Sequence, residues 1–178
     1  MTDTITAYAT AISEDTVRIE RSLPGPIERI WTYLTDSDKR ATWLARGPMG
    51  SVEGGRVELT WFNSQLSGQN EPPPEEYKKD EGYSMSGRVL ACDPPHLLSF
   101  TWGDESSDSV VTFELSQQSE RVKLVLTHSR LADRATKLSV SSGWHAHLDI
   151  LEDVLSDRSA RPFWSNHARL KAEYERRL

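Results

Sequence analysis

The chain has 178 residues, a formal charge of −6 and an apolar share of 37%, a length that suits one domain with one core burying roughly 70% of the surface its unfolded form exposes. The negative balance disfavours nucleic acid, whose affinity rests on clustered Lys and Arg; the one local concentration of basic residues, Arg169, Lys171, Arg176 and Arg177, is interleaved with Glu173 and Glu175 and reads as a solvated helix face. Cys92 is the only cysteine, so no internal disulfide can form, and with no run approaching the roughly 20 apolar residues of a membrane span the expectation is a cytoplasmic protein without membrane insertion.

Residues 1–15 are polar and read as a disordered tail. From Thr16 to Ser22 apolar and polar positions alternate, which predicts a half-buried strand. Pro24-Gly25-Pro26 is a turn, after which Ile27, Ile30, Trp31 and Leu34 recur at the spacing of one helix face, with Pro26 suited to the first helical position. A second short helix is expected from Ser37 to Leu44, capped by Asp36 or Ser37 and ended by Gly47-Pro48. Gly54-Gly55 makes a turn into a second strand, Arg56 to Phe62, with Val57, Leu59 and Trp61 on one face.

Residues 63–82 hold Pro72-Pro73-Pro74 and a run of charges and are expected to form an exposed loop: a tolerated insertion by preference, with a lid over a site or a partner contact as the other readings. Four more alternating runs follow, Tyr83 to Ala91, Leu97 to Trp102, Ser109 to Leu115 and Val122 to His128, and their short connections imply antiparallel neighbours. Parity puts Tyr83, Met85, Gly87 and Val89, then Leu98, Phe100 and Trp102, then Val111, Phe113 and Leu115, and last Val122, Leu124, Leu126 and His128 on the inner face. Trp144, Leu148, Leu151 and Leu155 form the stripe of an amphipathic helix from about Val140 to Leu155, and helix resumes over 162–178 after a bend near Ser156 to Arg161.

The order strand, two short helices, five strands and long terminal helix is that of the helix-grip fold. Ile19-Glu20-Arg21 and the run Pro26 to Asp36, then Trp43-Leu44, Gly54-Gly55, Gly87-Arg88-Val89, Leu97 to Trp102, Thr127-His128-Ser129 and Ser142-Gly143-Trp144, resemble START-like (SRPBCC) proteins, in particular the bacterial group named after the activator of heat-shock-protein ATPase. The resemblance covers most of Thr16 to Leu155 and implies an α+β domain over 16–178: a six-stranded curved antiparallel sheet around a long C-terminal helix, with a cavity between helix and sheet that in relatives holds apolar molecules. The Pro-rich insertion at Gln69 to Asp80 and the additional helix from Pro162 depart from simpler relatives.

His145 and His147, two apart on a helix, point about 200° apart and cannot share a metal ion. His145 with Asp149 has i, i+4 spacing but lacks a third ligand and reads as a surface hydrogen-bonded pair. His128, at the inner end of the last strand, either orders the strand-to-helix connection, the favoured reading, or serves as an acid or base. Ser142-Gly143-Trp144 lacks the frame of a nucleophile elbow, and Gly54-Gly55 lacks the Lys-Ser/Thr of a phosphate loop. The function expected is binding of a small apolar or aromatic molecule by Trp61, Tyr83, Met85, Phe100, Trp102, His128, Trp144 and Leu148, with no metal or other cofactor. The alternatives are an enzyme of cyclase, dehydratase or hydrolase type using His128 or Tyr83 in the same cavity, and a protein-interaction or co-chaperone-like module, with a homodimer left open.

Overall fold

Alternating sequence runs joined by short turns fold back on one another, so each strand pairs antiparallel with its neighbours. The structure, a computed structural model, describes residues 7–68, 71–103 and 107–178. Strands β1 (Thr10–Ser13), β2 (Thr16–Pro24), β3 (Arg56–Thr60), β4 (Ser84–Asp93), β5 (Leu97–Thr101), β6 (Val110–Gln118) and β7 (Arg121–Ser129) form, among the described residues, one seven-stranded antiparallel sheet in the order β1-β2-β7-β6-β5-β4-β3. Helices α1 (Ile27–Thr35) and α2 (Ser37–Arg40) fill the connection from β2 to β3, and α3 (Arg134–Leu155) and α4 (Phe163–Arg177) follow β7. This is the helix-grip architecture, with one strand more than the six expected. No described helix is long and apolar enough to cross a membrane.

The extra strand is β1, in what reads from sequence as a disordered tail. Thr10 pairs with Arg18 and Ala11 with Val17. All four β1 residues are exposed, so backbone hydrogen bonds hold the strand without apolar burial, and no alternation announces it. Just before it, the Ala9 N–H donates to the Tyr174 hydroxyl at 2.6 Å, tying the N-terminal segment to α4. Residues 1–6 of the expected tail lie outside the described residues, as do 69–70 of the loop and Asp104 of the turn after β5.

The inner-face rows are buried as parity requires, from Met85 and Val89 through Leu98, Phe100, Val111, Phe113 and Leu115 to Val122, Leu124, Leu126 and His128. Gly87 and Trp102 are half-buried, and Tyr83 is 51% exposed because it stands before β4 begins at Ser84. Gly87 has a steric reason to be glycine: a Cβ there would lie 2.6 Å from the Thr101 carbonyl oxygen on β5. Helix α3 starts at Arg134, earlier than the apolar stripe suggests, because the Asp133 carboxylate accepts from the Thr136 N–H at 2.8 Å and caps it.

The stripe Trp144, Leu148, Leu151 and Leu155 is buried as predicted, but the opposite face of α3 is buried too, since α4 folds back over it. His145 and Asp149 are therefore a buried pair and not the surface pair expected from spacing. Asp149 accepts from Arg21 Nη2 at 3.3 Å and Asn166 Nδ2 at 2.9 Å, with Arg161 at 3.6 Å and His145 Nε2 at 3.6 Å. The Tyr174 hydroxyl, which accepts from Ala9, bonds His145 Nδ1 at 2.9 Å. One turn on, Asp153 accepts from the Arg161 backbone N–H at 3.1 Å and from Arg161 Nη2 at 2.7 Å, and so fixes the bend into α4.

Removing one member of a buried ion pair leaves the other charge uncompensated, at a cost of about 3–5 kcal/mol. Asp149→Ala, which strands Arg21, is expected to lower the urea unfolding midpoint by a stability loss of that order; an unchanged midpoint would show that the network carries no stability.

Candidate ligand cavity

Two walls of the sheet meet α3 and the start of α4 without closing. The space left between them is a cavity of about 320 Å³. Trp61, Tyr83, Met85 and Trp102 supply the sheet wall, and Ser139, Gly143 and His147 the α3 wall. Phe163, Trp164 and His167 come from α4. Ser139, Gly143 and His147 lie at i, i+4 and i+8, a stripe of two small residues and a histidine beside the apolar one.

Gly143 is the informative member. A glycine inside a helix costs about 1 kcal/mol relative to alanine, yet a Cβ at this position would meet no heavy atom within 4 Å outside its own helix. No neighbour requires the glycine. Its effect is to leave room in the cavity it lines.

Asn63, Tyr77 and Asp80 complete the wall, so the segment expected to be an exposed insertion leaves residues such as Glu75, Lys78 and Lys79 in solvent but also docks on α4 beside the cavity. Tyr77 stacks on Trp164 with ring centroids 5.2 Å apart and meets His167 edge-on at 5.2 Å. The Glu71 carboxylate accepts from the Trp164 backbone N–H at 3.0 Å and from the Ser165 hydroxyl, and Trp164 Nε1–H donates to Ser64 Oγ at 3.0 Å. Lys171 pairs with Glu76 at 3.3 Å. The charged composition that argues for solvent exposure hides this, because the aromatic and acidic residues that dock the segment are few and their partners lie about 90 positions or more away.

Of the eight residues expected to hold a ligand, Trp61, Tyr83, Met85 and Trp102 line the cavity, Tyr83 at its rim and stacked on Trp61 at 6.1 Å. Phe100, His128, Trp144 and Leu148 do not; they are buried core residues, with Trp144 and His128 behind Trp102 at 4.9 and 5.6 Å between ring centroids. Parity identifies the inner face of a strand, but it does not say how far along the strand the helix closes down on it. His128 Nδ1 accepts from Trp144 Nε1–H at 3.1 Å, which puts its proton on Nε2, where no partner exists among the described residues. Burial pulls its pKa down to about 4, so the ring is neutral and holds strand to helix.

His147 and His167 are the cavity residues that sequence spacing passes over. The His147 Nδ1–H donates to the Trp43 carbonyl at 2.8 Å, leaving Nε2 as a lone-pair acceptor with no partner among the described residues. Burial lowers both rings to about 4, helped at His167 by Lys171 and opposed at His147 by its bond to Trp43. Burial also raises the Asp80 carboxyl, with Glu81 adding to the effect. Among the described residues no group of three or more His, Cys, Asp or Glu is arranged to hold a metal.

The sequence from 24 to 156 matches the family model described as activator of Hsp90 ATPase homolog 1-like protein. A Bordetella parapertussis protein with a solution structure is 41% identical over 100% of this chain and 96% of its own, with a TM-score of 0.80. Crystalline CalU16 from Micromonospora echinospora is 22% identical over 91% of this chain and 84% of its own, with a TM-score of 0.65. A conserved protein of unknown function from Enterococcus faecalis is 19% identical over 96% of this chain and 90% of its own, at 0.69. The last two likenesses speak for the fold alone. No curated protein sequence matches.

Four buried histidines, His128, His145, His147 and His167, have pKa values near 4 in the folded chain against 6.5 ordinarily, in each case chiefly through burial. Between those values the unfolded chain binds protons that the folded chain refuses, so stability is full above pH ~6.5 and falls as pH drops toward ~4, by up to about 1.4 kcal/mol per pH unit for each ring. Urea unfolding at pH 7 and pH 5 is expected to show a midpoint well below the pH 7 value at pH 5, and equal midpoints would contradict neutral burial.

Proposed function

The chain belongs to the activator of Hsp90 ATPase homolog 1-like family of START-like proteins, and from that premise we propose that it binds a small apolar or aromatic molecule in the cavity between α3, α4 and the sheet. The observation that carries this reading is the open space itself. A cavity of about 320 Å³ sits at the lower end of the roughly 300–1,000 Å³ usual for small-molecule sites, and aromatic walls with few polar groups are the usual form of such a site. The unforced glycine at position 143 supports a space that is kept, since alanine there would be favoured by helix propensity and meets no steric bar.

A catalytic role for His128 has less support, because the ring is fully buried behind Trp102 and does not line the cavity. A partner-binding role for 63–82 also has less support, since Glu71, Glu76 and Tyr77 are engaged with α4. A cytoplasmic setting, expected from the lone Cys92, accompanies the binding reading.

Gly143→Leu fills the cavity from the helix side without touching the core. Titration with naphthalene, read by tryptophan fluorescence and calorimetry, is expected to saturate the natural chain and to lose at least about tenfold in affinity in Gly143→Leu, with no fall in melting temperature. Unaltered affinity in a folded Gly143→Leu protein would remove the cavity from consideration.

A further inference from the structure

The cavity's polarity narrows what it can hold. His147 Nε2 is a fixed acceptor, because the other ring nitrogen gives its proton to Trp43 and the residue is only 6% exposed. Asp80 adds a carboxyl, and no Lys or Arg is among the described residues of the wall. Lys171 belongs to a neighbouring space, where it pairs with Glu76 and lies over the Tyr77 ring. A carboxylate or phosphate ligand would meet the Asp80 carboxyl with no Lys or Arg in the described wall to pair with, which disfavours an anion there.

Size and ring content give the rest. A cavity of about 150 Å³ accommodates benzene, so the 320 Å³ here has room for two fused rings and a substituent on them. Those rings would lie among Trp61, Trp102, Phe163 and Trp164, where offset and edge-on contacts are favourable. The indole N–H groups of Trp61 and Trp102 have no hydrogen-bond partner among the described residues, and they suit the oxygen of a hydroxyl.

We propose that the cavity selects an uncharged bicyclic aromatic molecule bearing a hydroxyl group, which donates its hydrogen to His147 Nε2. The proposal rests on the cavity being a binding site, and it adds the class of molecule that site prefers. A ligand without the hydroxyl leaves the buried imidazole acceptor unpaired, which lowers affinity by about tenfold.

Calorimetry at pH 7.5 with 2-naphthol, naphthalene and 2-naphthoate on the full chain tests it. The expected order is 2-naphthol about tenfold tighter than naphthalene, with 2-naphthoate weakest. In His147→Asn the shorter amide can still donate to the Trp43 carbonyl but offers no acceptor at the Nε2 position, so the advantage of 2-naphthol over naphthalene should shrink. Equal binding of the two by the natural chain, tightest binding of 2-naphthoate, or an unaltered preference in His147→Asn would overturn the hydroxyl assignment while leaving the cavity as a binding site. Failure of all three probes to bind would overturn both. If His147→Asn does not fold, the series on the natural chain decides alone.

Discussion

The fold depends on Asp149 being held between elements that are far apart in sequence. Its carboxylate meets Arg21 from β2, His145 on its own helix, and Arg161 and Asn166 around the start of α4. A carboxylate buried to this degree is tolerable only with such partners, and once they are in place α4 cannot slide along α3 without breaking them. Asp153 does the same for the bend, through Arg161 and Arg158. The polar side of α3 is thereby converted from a solvated face into an internal seam, and Tyr174, whose hydroxyl burial pushes up to about 12, joins α4 through His145 and Ala9 to the first strand.

The cavity follows from that seam. With α4 pinned at Asn166 and Arg161, its first turn presents Phe163, Trp164 and His167 toward the open end of the sheet. Trp164 in turn gives the 63–82 segment its anchor, through Glu71, Ser64 and the stacked Tyr77. The three walls are set by contacts outside the cavity, so the space does not depend on a ligand to define it. The unpaired acceptor on His147 and the absent side chain at Gly143 are what distinguish it from a packed core.

Much of the architecture was legible in the sequence because strand parity and the helix stripes are local signals: the six alternating runs, the first short helix and the stripe from Trp144 to Leu155 stand close to where their periodicities put them, whereas the second short helix starts at Ser37 as expected but ends at Arg40 and not at Leu44. The first strand was not legible, because its residues are exposed and only its backbone is paired. The burial of His145 and Asp149 was not legible either, since a charged i, i+4 pair looks the same whether solvent or a second helix covers it. The candidate site was half visible. Trp61, Tyr83, Met85 and Trp102 follow from parity, whereas His147, His167 and Tyr77 reach the cavity only through the packing of α4 and the 63–82 segment, which depends on contacts between residues far apart in the chain. The stripe Ser139, Gly143, His147 is the one local sign that could have pointed to them.

The central claim is that this space is where a small aromatic molecule sits, and the six tryptophans report on it directly. In a nitrogen-15 spectrum the indole N–H signals of Trp61, Trp102 and Trp164, which line the cavity, should shift together and saturate as naphthalene is added, while Trp31 and Trp43, which do not line it, stay in place. Shifts confined to Trp31 or Trp43, or no saturable shift at any of the cavity tryptophans, would contradict the account.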